Sequence, residues 1–322
     1  MKPPYSISQL ILKKVSSISE KIGEVKSAHL TKPPTELRKK NRIKTIQSSL
    51  EIEGNTLSEE QITAILENKR VLAPKKDIIE VQNAIRTYDN FDLYNPNSLQ
   101  SLCSAHKILM EGLIKFPGKL RSKSVGIVNG SKIVHIAPPG EMVKPLMNDL
   151  FDYLKNDNDL LLLKSCVFHY EFEFIHPFMD GNGRIGRLWQ TVILKNYDNV
   201  FEYLPVESLI KSRQSDYYHS LKKSDSVGNS TQFIEFMLEI IDDSLESLLS
   251  IQNRTIKDVD RIIIFGDFIK EQFFTRQEYL RYFKDISSAT ASRDLRMAVE
   301  EKIILKTGDK RTTQYKYVSK FK

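Results

Sequence analysis

The chain has 322 residues, long enough for about two domains that each bury a core. A hydrophobic content of 40% and a mean hydropathy of −0.35 are ordinary for a soluble protein, and no apolar run reaches the roughly 18 residues that a membrane span needs. The net charge of +7 permits an anionic partner, and Cys103 and Cys166 are predicted to be buried free thiols in a cytoplasmic protein without a membrane partner.

The first 95 residues are predicted to form a series of helices. The second helix should run from about Thr35 to Glu53, because Gly54 is a typical residue just past a helix end. A carboxylate at that end opposes the helix dipole, at a cost of about 0.3–1 kcal/mol unless a cation lies beside it. Ser49 is one turn before Glu53 on the same face. We therefore expect Glu53 to have a cationic partner. The simpler alternative is an exposed glutamate beside a turn.

The helical pattern stops between Pro117 and Pro139. Short β-branched runs flank Asn129-Gly130, and Asn-Gly between such runs is the strongest short signal for a hairpin. We therefore predict one β-hairpin inside an otherwise helical region. His135 falls in its second strand, where a solvated side chain is favoured over a substrate contact.

The stretch from Ile175 to Arg187 reads Ile-His-Pro-Phe-Met-Asp-Gly-Asn-Gly-Arg-Ile-Gly-Arg. Pro177 cannot continue the apolar helix before it, and residues 185–194 again have helical spacing. The glycine-rich turn therefore runs into a helix N-terminus. Free backbone N–H groups and the positive end of the helix dipole make such a terminus an anion site.

The charged residues of this stretch indicate a polyphosphate ligand. Arg184 and Arg187 share a helix face, and two guanidiniums suit a polyphosphate better than a single carboxylate. Asp180 could hold a divalent cation on the same phosphates. His176 is the group that can exchange a proton near pH 7, whereas His169 in the preceding helix is better explained as a hydrogen-bonded core histidine.

Three other ligand motifs fail on spacing. A Walker A loop needs Lys-Ser or Lys-Thr after its glycines, and none follows here. An EF-hand would need a ligand at Arg184 and a glutamate at Thr191. His169 and His176 are too far apart for an H-E-x-x-H zinc pair.

The stretch matches the Fic family signature, H-P-F-x-D/E-G-N-G-R-x-x-R, at every defined position. The resemblance implies a mostly helical enzyme that uses Mg²⁺ and transfers AMP from ATP to a Tyr, Ser or Thr hydroxyl of a target protein or of itself. His176 then resembles the general base, Asp180 the Mg²⁺ ligand and Phe178 the apolar anchor of the loop. The remaining residues resemble the phosphate site, with Asn182 and the backbone of Gly181 and Gly183 at the α-phosphate and Arg184 and Arg187 clamping the β- and γ-phosphates.

The resemblance extends to segments outside the signature. Ser49-Leu-Glu-Ile-Glu53-Gly54 matches an inhibitory motif, [S/T]-x-x-x-E-[G/N], whose glutamate would form a bidentate pair with Arg187. The predicted hairpin resembles the family's flap, which holds a target segment by strand pairing, and Gly118-x-x-Arg121 before it is also similar. Tyr217 or Tyr218 could stack on adenine, with core packing as the equal alternative.

The segment after residue 255 predicts helix, helix, turn, helix and hairpin, the order of a winged helix-turn-helix. Residues 288–295 resemble a recognition helix, and winged helices also serve as protein-docking modules. Asp294, Glu300 and Glu301 would dilute the basic face of this helix. The candidate DNA contacts are Thr290, Arg293 and Arg296 on the helix, with Lys310 and Arg311 on the wing.

The sequence thus predicts a mainly α protein in three parts. Residues 1–95 form a helical region with the inhibitory motif, residues 96–255 a Fic catalytic domain with a β-hairpin flap, and residues 256–322 a winged helix-turn-helix domain. The leading function is a protein adenylyltransferase restrained by Glu53. The alternatives are an enzyme that removes AMP with the help of Glu53, and a nucleotide-sensing DNA-binding regulator with little turnover. A homodimer is a further expectation, whereas the target, the choice of nucleotide and the direction of the reaction stay open.

Overall fold

The structure, a computed structural model, describes residues 2–27, 35–124, 126–129, 132–255, 258–270, 272–283 and 286–318. The chain is mostly helical, as predicted, and divides into two compact units, Met1–Leu245 and Glu246–Lys322. The division falls inside one long helix, ahead of the predicted boundary after residue 255. Among the described residues, no helix combines the length and the apolar character needed to cross a bilayer.

The first unit is built from helices with short connections. Their bounds are α1 Gln9–Ser27, α2 Thr35–Ile52, α3 Glu59–Leu66, α4 Lys75–Asp89, α5 Leu99–Leu109, α6 Gly140–Asn156, α7 Leu161–Ile175, α8 Asn182–Lys195, α9 Val206–Ser212, α10 Gln214–Val227 and α11 Thr231–Thr255, which continues past this unit. Helix α2 ends just before Glu53. Gly54 follows with a φ of 92°, the left-handed conformation that is typical of a glycine just past a helix end, as predicted.

Helices α7 and α8 lie at the centre of this unit. Helix α7 is apolar on nearly every side, and such a helix is stable only when other elements surround it. It packs against α6 and α8, and most residues of α8 are buried as well. The connection between the two helices, residues 176–181, is hereafter the signature loop. The most buried pair of helices therefore fixes both ends of this loop.

The predicted hairpin is present between α5 and α6. Strands β1, Gly126–Asn129, and β2, Lys132–Ile136, pair antiparallel with a register irregularity between Ile127 and Val128. The predicted turn at Gly130 and the side chain of His135 lie outside the described residues. Cys166 is a buried free thiol as predicted, whereas Cys103 is only partly buried.

The second unit contains the predicted order of elements. Helices α12 Asp258–Ile269, α13 Arg276–Tyr282 and α14 Ser288–Glu300 precede the antiparallel strands β3 Ile304–Thr307 and β4 Gln314–Tyr317. Phe274 bridges to Tyr315 and joins the connection after α12 to the hairpin. Asp294 is fully buried and ion-paired with Arg261, so the expectation that it dilutes a basic surface was wrong. The winged-helix assignment stays a prediction.

Candidate active site

His176 marks the point where α7 gives way to the signature loop, as predicted. Its φ of 50° and ψ of 61° lie in the left-handed region, which costs a residue with a side chain about 1–2 kcal/mol. Its amide still donates to Phe172 O at 2.9 Å, so the helix ends in a tight turn. The catalytic candidate thus occupies a strained backbone position that its surroundings must maintain.

Phe178 anchors the loop, as predicted, and its partner is a histidine that sequence reasoning missed. The rings of Phe178 and His106 stack with centroids 3.6 Å apart and planes 6° apart, and both side chains are fully buried. His106 Nδ1 accepts from Gly118 N–H, so Nε2 carries the hydrogen and donates to Asp180 O at 2.9 Å. Burial lowers the pKa of His106 to about 4, which keeps the ring neutral near pH 7. His106 lies on α5 with no local motif around it to indicate this role.

Asn182 braces the signature loop from inside. Its Oδ1 accepts from Phe178 N–H at 2.8 Å, and its Nδ2 donates to Phe178 O at 2.9 Å. Both ends of the amide are therefore bonded to the loop, and the place of Asn182 in the α-phosphate site stays a prediction. The backbone also offers donors, since the first N–H groups of α8, from Asn182 to Arg184, have no partner within the helix. The predicted anion site is therefore the start of α8, capped by Gly181.

Arg187 makes the predicted contact with Glu53. Its Nη2 donates to Glu53 Oε1 at 2.8 Å and to Ser49 O at 2.9 Å, and its Nε donates to Ser49 Oγ at 3.2 Å. The pair is single rather than bidentate: Glu53 accepts from one N–H of Nη2, while Ser49 accepts from the other N–H of Nη2 and from Nε. Burial alone would lower the pKa of Arg187, but the charge of Glu53 beside it produces a net increase.

Glu53 also lies against the start of α8. A Cβ added to Gly183 would overlap Glu53 Oε1, so only a glycine allows the carboxylate to approach this closely. The negative charge is stabilised there by the helix terminus as well as by Arg187. Glu53 thus occupies the same anion site that the sequence predicted for phosphate.

Arg184, predicted to be part of the phosphate clamp, is bonded to two carboxylates. It is 6% exposed, with Nη1 donating to Glu80 Oε1 at 2.9 Å and Nη2 to Asp180 Oδ1 at 3.1 Å. Glu80 is itself buried and also accepts from Asn55 Nδ2 at 2.8 Å. Both terminal nitrogens of Arg184 are therefore engaged by carboxylates, while its buried Nε has no hydrogen-bond partner within the described part of the chain. Glu80 and Asn55 come from α4 and the turn after α2, and their sequence context gave no indication of this role.

Asp180 is the candidate Mg²⁺ ligand. Its carboxylate is 55% exposed at the edge of the loop, and Oδ1 accepts from Arg184 and from Gly181 N–H. Across the described ranges, no cluster of three or more His, Cys, Asp or Glu could hold a metal by protein ligands alone. One exposed carboxylate fits Mg²⁺, which commonly takes one or two protein carboxylates and completes its shell with water and substrate phosphates.

The aromatic candidates divide between core and surface. His169 is a buried core histidine as predicted, with Nδ1 and Nε2 hydrogen-bonded to Gln190 and Tyr217, and burial lowers its pKa to about 3. Tyr217 is 1% exposed and packs against His169 and Phe233, so core packing explains it. Tyr218 is 48% exposed and is the one of the two tyrosines that a purine could reach.

The candidate DNA contacts lie in the second unit. Arg293 and Arg296 are exposed on α14, and neither has an ion-pair partner within the described ranges. Thr290 is partly buried, and its N–H is capped by Ser287 Oγ at the helix start. Lys310 is exposed between β3 and β4, and the side chain of Arg311 lies outside the described residues.

Comparisons of the sequence and the fold with known proteins find similarity to Fic family proteins. A model of the Fic/DOC family matches residues 96–194. A crystal structure of a Fic family protein from Desulfovibrio desulfuricans G20 is 40% identical and aligns with a TM-score of 0.76 over 100% of both chains. A protein adenylyltransferase Fic from Drosophila mojavensis is 27% identical over 247 residues, which are 74% of this chain and 47% of that protein. One from Nematostella vectensis is 25% identical over 259 residues, 76% of this chain and 57% of its own length. The chain spans about half the length of the curated relatives it matches.

Proposed function

This chain belongs to the Fic family, and we propose that it transfers the adenylyl group of ATP to a hydroxyl of a protein target or of its own chain, under restraint by Glu53. The observation that carries the proposal is the anion site at the start of α8. His176, Asp180 and Arg187 come from one stretch around that site, and Glu53 lies in it as an internal anion. The names of the adenylyltransferase relatives support the same reaction.

In the proposed reaction His176 accepts the proton of the attacking hydroxyl. The hydroxyl oxygen bonds to the α-phosphorus, the bond to the bridging oxygen breaks, and pyrophosphate leaves. The N–H groups at the start of α8 stabilise charge on the α-phosphate, and Arg187 holds the γ-phosphate. Mg²⁺ bound at Asp180 would supply further neutralisation of phosphate charge. The chain's main contributions are positioning and a general base, worth about 10²–10⁴-fold for the base.

Restraint by Glu53 follows from the contacts of Arg187. Glu53 and Ser49 occupy the donors on Nε and Nη2 of Arg187, and Glu53 also lies against Gly183, where a phosphate would bind. A nucleotide that still entered would have its phosphates displaced, and a misplacement of about 1 Å can cost about 100-fold in rate. The proposed active state is therefore one in which Glu53 has left Arg187.

The position of Glu53 also suits a second function, removal of AMP from a modified protein. Its carboxylate is 30% exposed and close to the predicted α-phosphate site, where it could orient an attacking water. A different observation favours a DNA-binding role for the second unit, since Arg293 and Arg296 project from α14 as exposed cations. A nucleotide-sensing regulator with little turnover would combine this surface with the same anion site.

The direct test incubates the purified Glu53→Gly variant with Mg²⁺ and ATP labelled at either the α- or the γ-phosphate. Adenylyl transfer predicts protein-bound label from α-labelled ATP only, and mass spectrometry should then locate AMP on Tyr, Ser or Thr. Label from γ-labelled ATP would indicate phosphoryl transfer and reject the proposal. No label from either, with ATP bound, would favour the regulator. Release of AMP from a modified protein by the wild type would favour the reverse reaction.

A further inference from the structure

Arg121 is a buried arginine that bonds to main-chain carbonyls rather than to a carboxylate. It is 4% exposed and has no ion-pair partner in the described part of the chain. Its Nε donates to His176 O at 2.7 Å and its Nη2 to Ile175 O at 3.0 Å. Nη2 also donates to Pro138 O at 2.7 Å, and Nη1 donates to Lys123 O at 2.7 Å. One guanidinium therefore bonds to three separate segments of the chain.

Two of these acceptors are the last carbonyls of α7 and its cap. Carbonyls at a helix C-terminus have no partner within the helix and carry the negative end of its dipole, so a cation there is favourable. The amide of Arg121 also donates to Pro177 O at 2.8 Å. Arg121 thus holds the carbonyls of three successive residues, from Ile175 to Pro177. His176, with its left-handed backbone, is in the middle of this set.

The other two acceptors flank the β-hairpin. Lys123 lies just before β1 and Pro138 lies just after β2, so Arg121 joins both ends of the hairpin. The backbones are also in close contact there, because a Cβ added to Gly140 would overlap the carbonyl group of Ser122. The two chain segments at the base of the hairpin therefore lie against each other, and this guanidinium bonds to both of them.

We propose that Arg121 is a positioning residue that fixes the main chain of His176 and the base of the hairpin as one unit. The inference rests on the proposed adenylyl transfer, in which the imidazole must meet a hydroxyl carried by a segment beside the hairpin. Within the described residues, the hydrogen bonds of Arg121 go to Lys123, Pro138 and residues 175–177 and not to the start of α8. Its loss should therefore lower the transfer rate by about 10–100-fold through misplacement of the base, while the affinity for ATP changes less than about twofold. A lysine cannot replace it fully, since one ammonium nitrogen lacks the planar fork that reaches several carbonyls.

The test compares Arg121→Ala with Lys164→Ala, both in the Glu53→Gly background. Lys164 is a matched control, because it is also a buried cation that donates to a main-chain carbonyl, Leu154 O at 2.9 Å, but it lies at the other end of α7. We expect slower self-labelling only in Arg121→Ala. Guanidinium chloride at low millimolar concentration should restore part of its rate, whereas equal KCl should not. A purely structural loss would not respond to guanidinium. Equal labelling by the Arg121→Ala variant and its parent would overturn the proposal.

A second readout separates this inference from the proposed function. If the Glu53→Gly parent itself fails to label, adenylyl transfer is rejected, and Arg121 is then tested by hydrogen exchange at the His176 amide. That exchange should be faster in Arg121→Ala and return toward the parent rate with guanidinium; unchanged exchange would overturn the positioning role. If the alanine variant does not fold, Arg121→Lys takes its place. We expect intermediate labelling and exchange from it, and parental values for both would reject the proposal.

Discussion

Glu53 and Gly183 are in contact at the point where α8 begins. Glu53 Oε1 is so close that it would overlap a Cβ added to Gly183, and the same oxygen accepts from Arg187. One carboxylate oxygen thus lies at the positive end of the helix dipole and bonds to the guanidinium. Under the proposed function a phosphate would use the same two groups, so a nucleotide and Glu53 would compete for them.

Removal of this carboxylate should increase activity. We expect Glu53→Gly to label itself or a target at least 10-fold faster than wild type, because Arg187 becomes available to the γ-phosphate. Glu53→Gln keeps the shape and loses the charge, so its rate should lie between the two. Labelling with α-labelled ATP measures all three proteins.

Arg187→Ala provides the control for this prediction. It should lose transfer in either background, since the donors themselves are gone. Equal or lower labelling by Glu53→Gly than by wild type would contradict the inhibitory role. That result would favour the water-orienting role or an exposed glutamate without function.

Loss of the proposed base should separate chemistry from binding. His176→Ala in the Glu53→Gly background should label about 10²–10⁴-fold more slowly, because no other group replaces the imidazole as proton acceptor. ATP affinity, measured by calorimetry, should be nearly unchanged. The exposed His219 gives a matched control, and His219→Ala should label as the parent does. A parental rate for His176→Ala would disprove the assignment of the base.

The signature loop could be predicted from sequence because its chemistry is contiguous. Helix ends, the proline and the glycines are local features, and they placed His176 and the α8 terminus correctly. The roles of His106, Glu80 and Arg121 could not be predicted in the same way, although the family resemblance had included Arg121, since each acts through contacts with distant parts of the chain. Spacing alone also cannot tell whether a side chain points outward or braces the structure.

Three candidates illustrate that last difficulty. Asn182 turned out to bond to its own loop, and Tyr217 to pack in the core. Arg184 was expected to clamp the β- and γ-phosphates together with Arg187, and in the structure it is ion-paired with Glu80 and Asp180. In each case the residue type suits both a ligand and an internal partner, and only the tertiary packing decides between them.

His106→Phe should remove two hydrogen bonds that hold the signature loop and should lower the free energy of unfolding. Phenylalanine keeps the stack on Phe178 but leaves Gly118 N–H and Asp180 O without their partner, at about 1–3 kcal/mol each. Because the folded pKa of about 4 is below the ordinary 6.5, stability from a neutral His106 is present above pH 6.5 and decreases as the pH falls toward 4. Thermal unfolding from pH 4 to 7.5 should therefore show a weaker acid dependence in the variant. An unchanged dependence would contradict this assignment.

The contribution of Glu207 to stability should have the opposite pH dependence from that of His106, and Glu207→Gln should remove it. Glu207 is 1% exposed, accepts from Tyr88 OH, and burial raises its pKa from 4.5 to about 7. Between those values the unfolded chain ionises and the folded chain does not, so the group's contribution to stability falls as the pH rises. A neutral glutamine avoids this loss, and its advantage over wild type should grow between pH 5 and pH 8 toward about 3 kcal/mol. Denaturant unfolding at the two pH values measures it. The exposed Glu20→Gln is the control, and an equal effect in both variants would reject the burial argument.

The DNA-binding proposal depends on two arginines of α14. If Arg293 and Arg296 each contact a phosphate, changing both to alanine should reduce the slope of log affinity against log salt by about 2 and weaken binding to any duplex. If they read bases, the loss should instead be larger for a specific site, by about 1–3 kcal/mol per arginine. Arg281 is exposed on α13, so Arg281→Ala offers a control of equal charge change off this helix. Fluorescence anisotropy of a labelled duplex at 50–200 mM salt measures affinity for the three proteins. An equal change in the control would indicate a general charge effect, and no wild-type binding even at 50 mM salt would favour a protein-docking role for this unit.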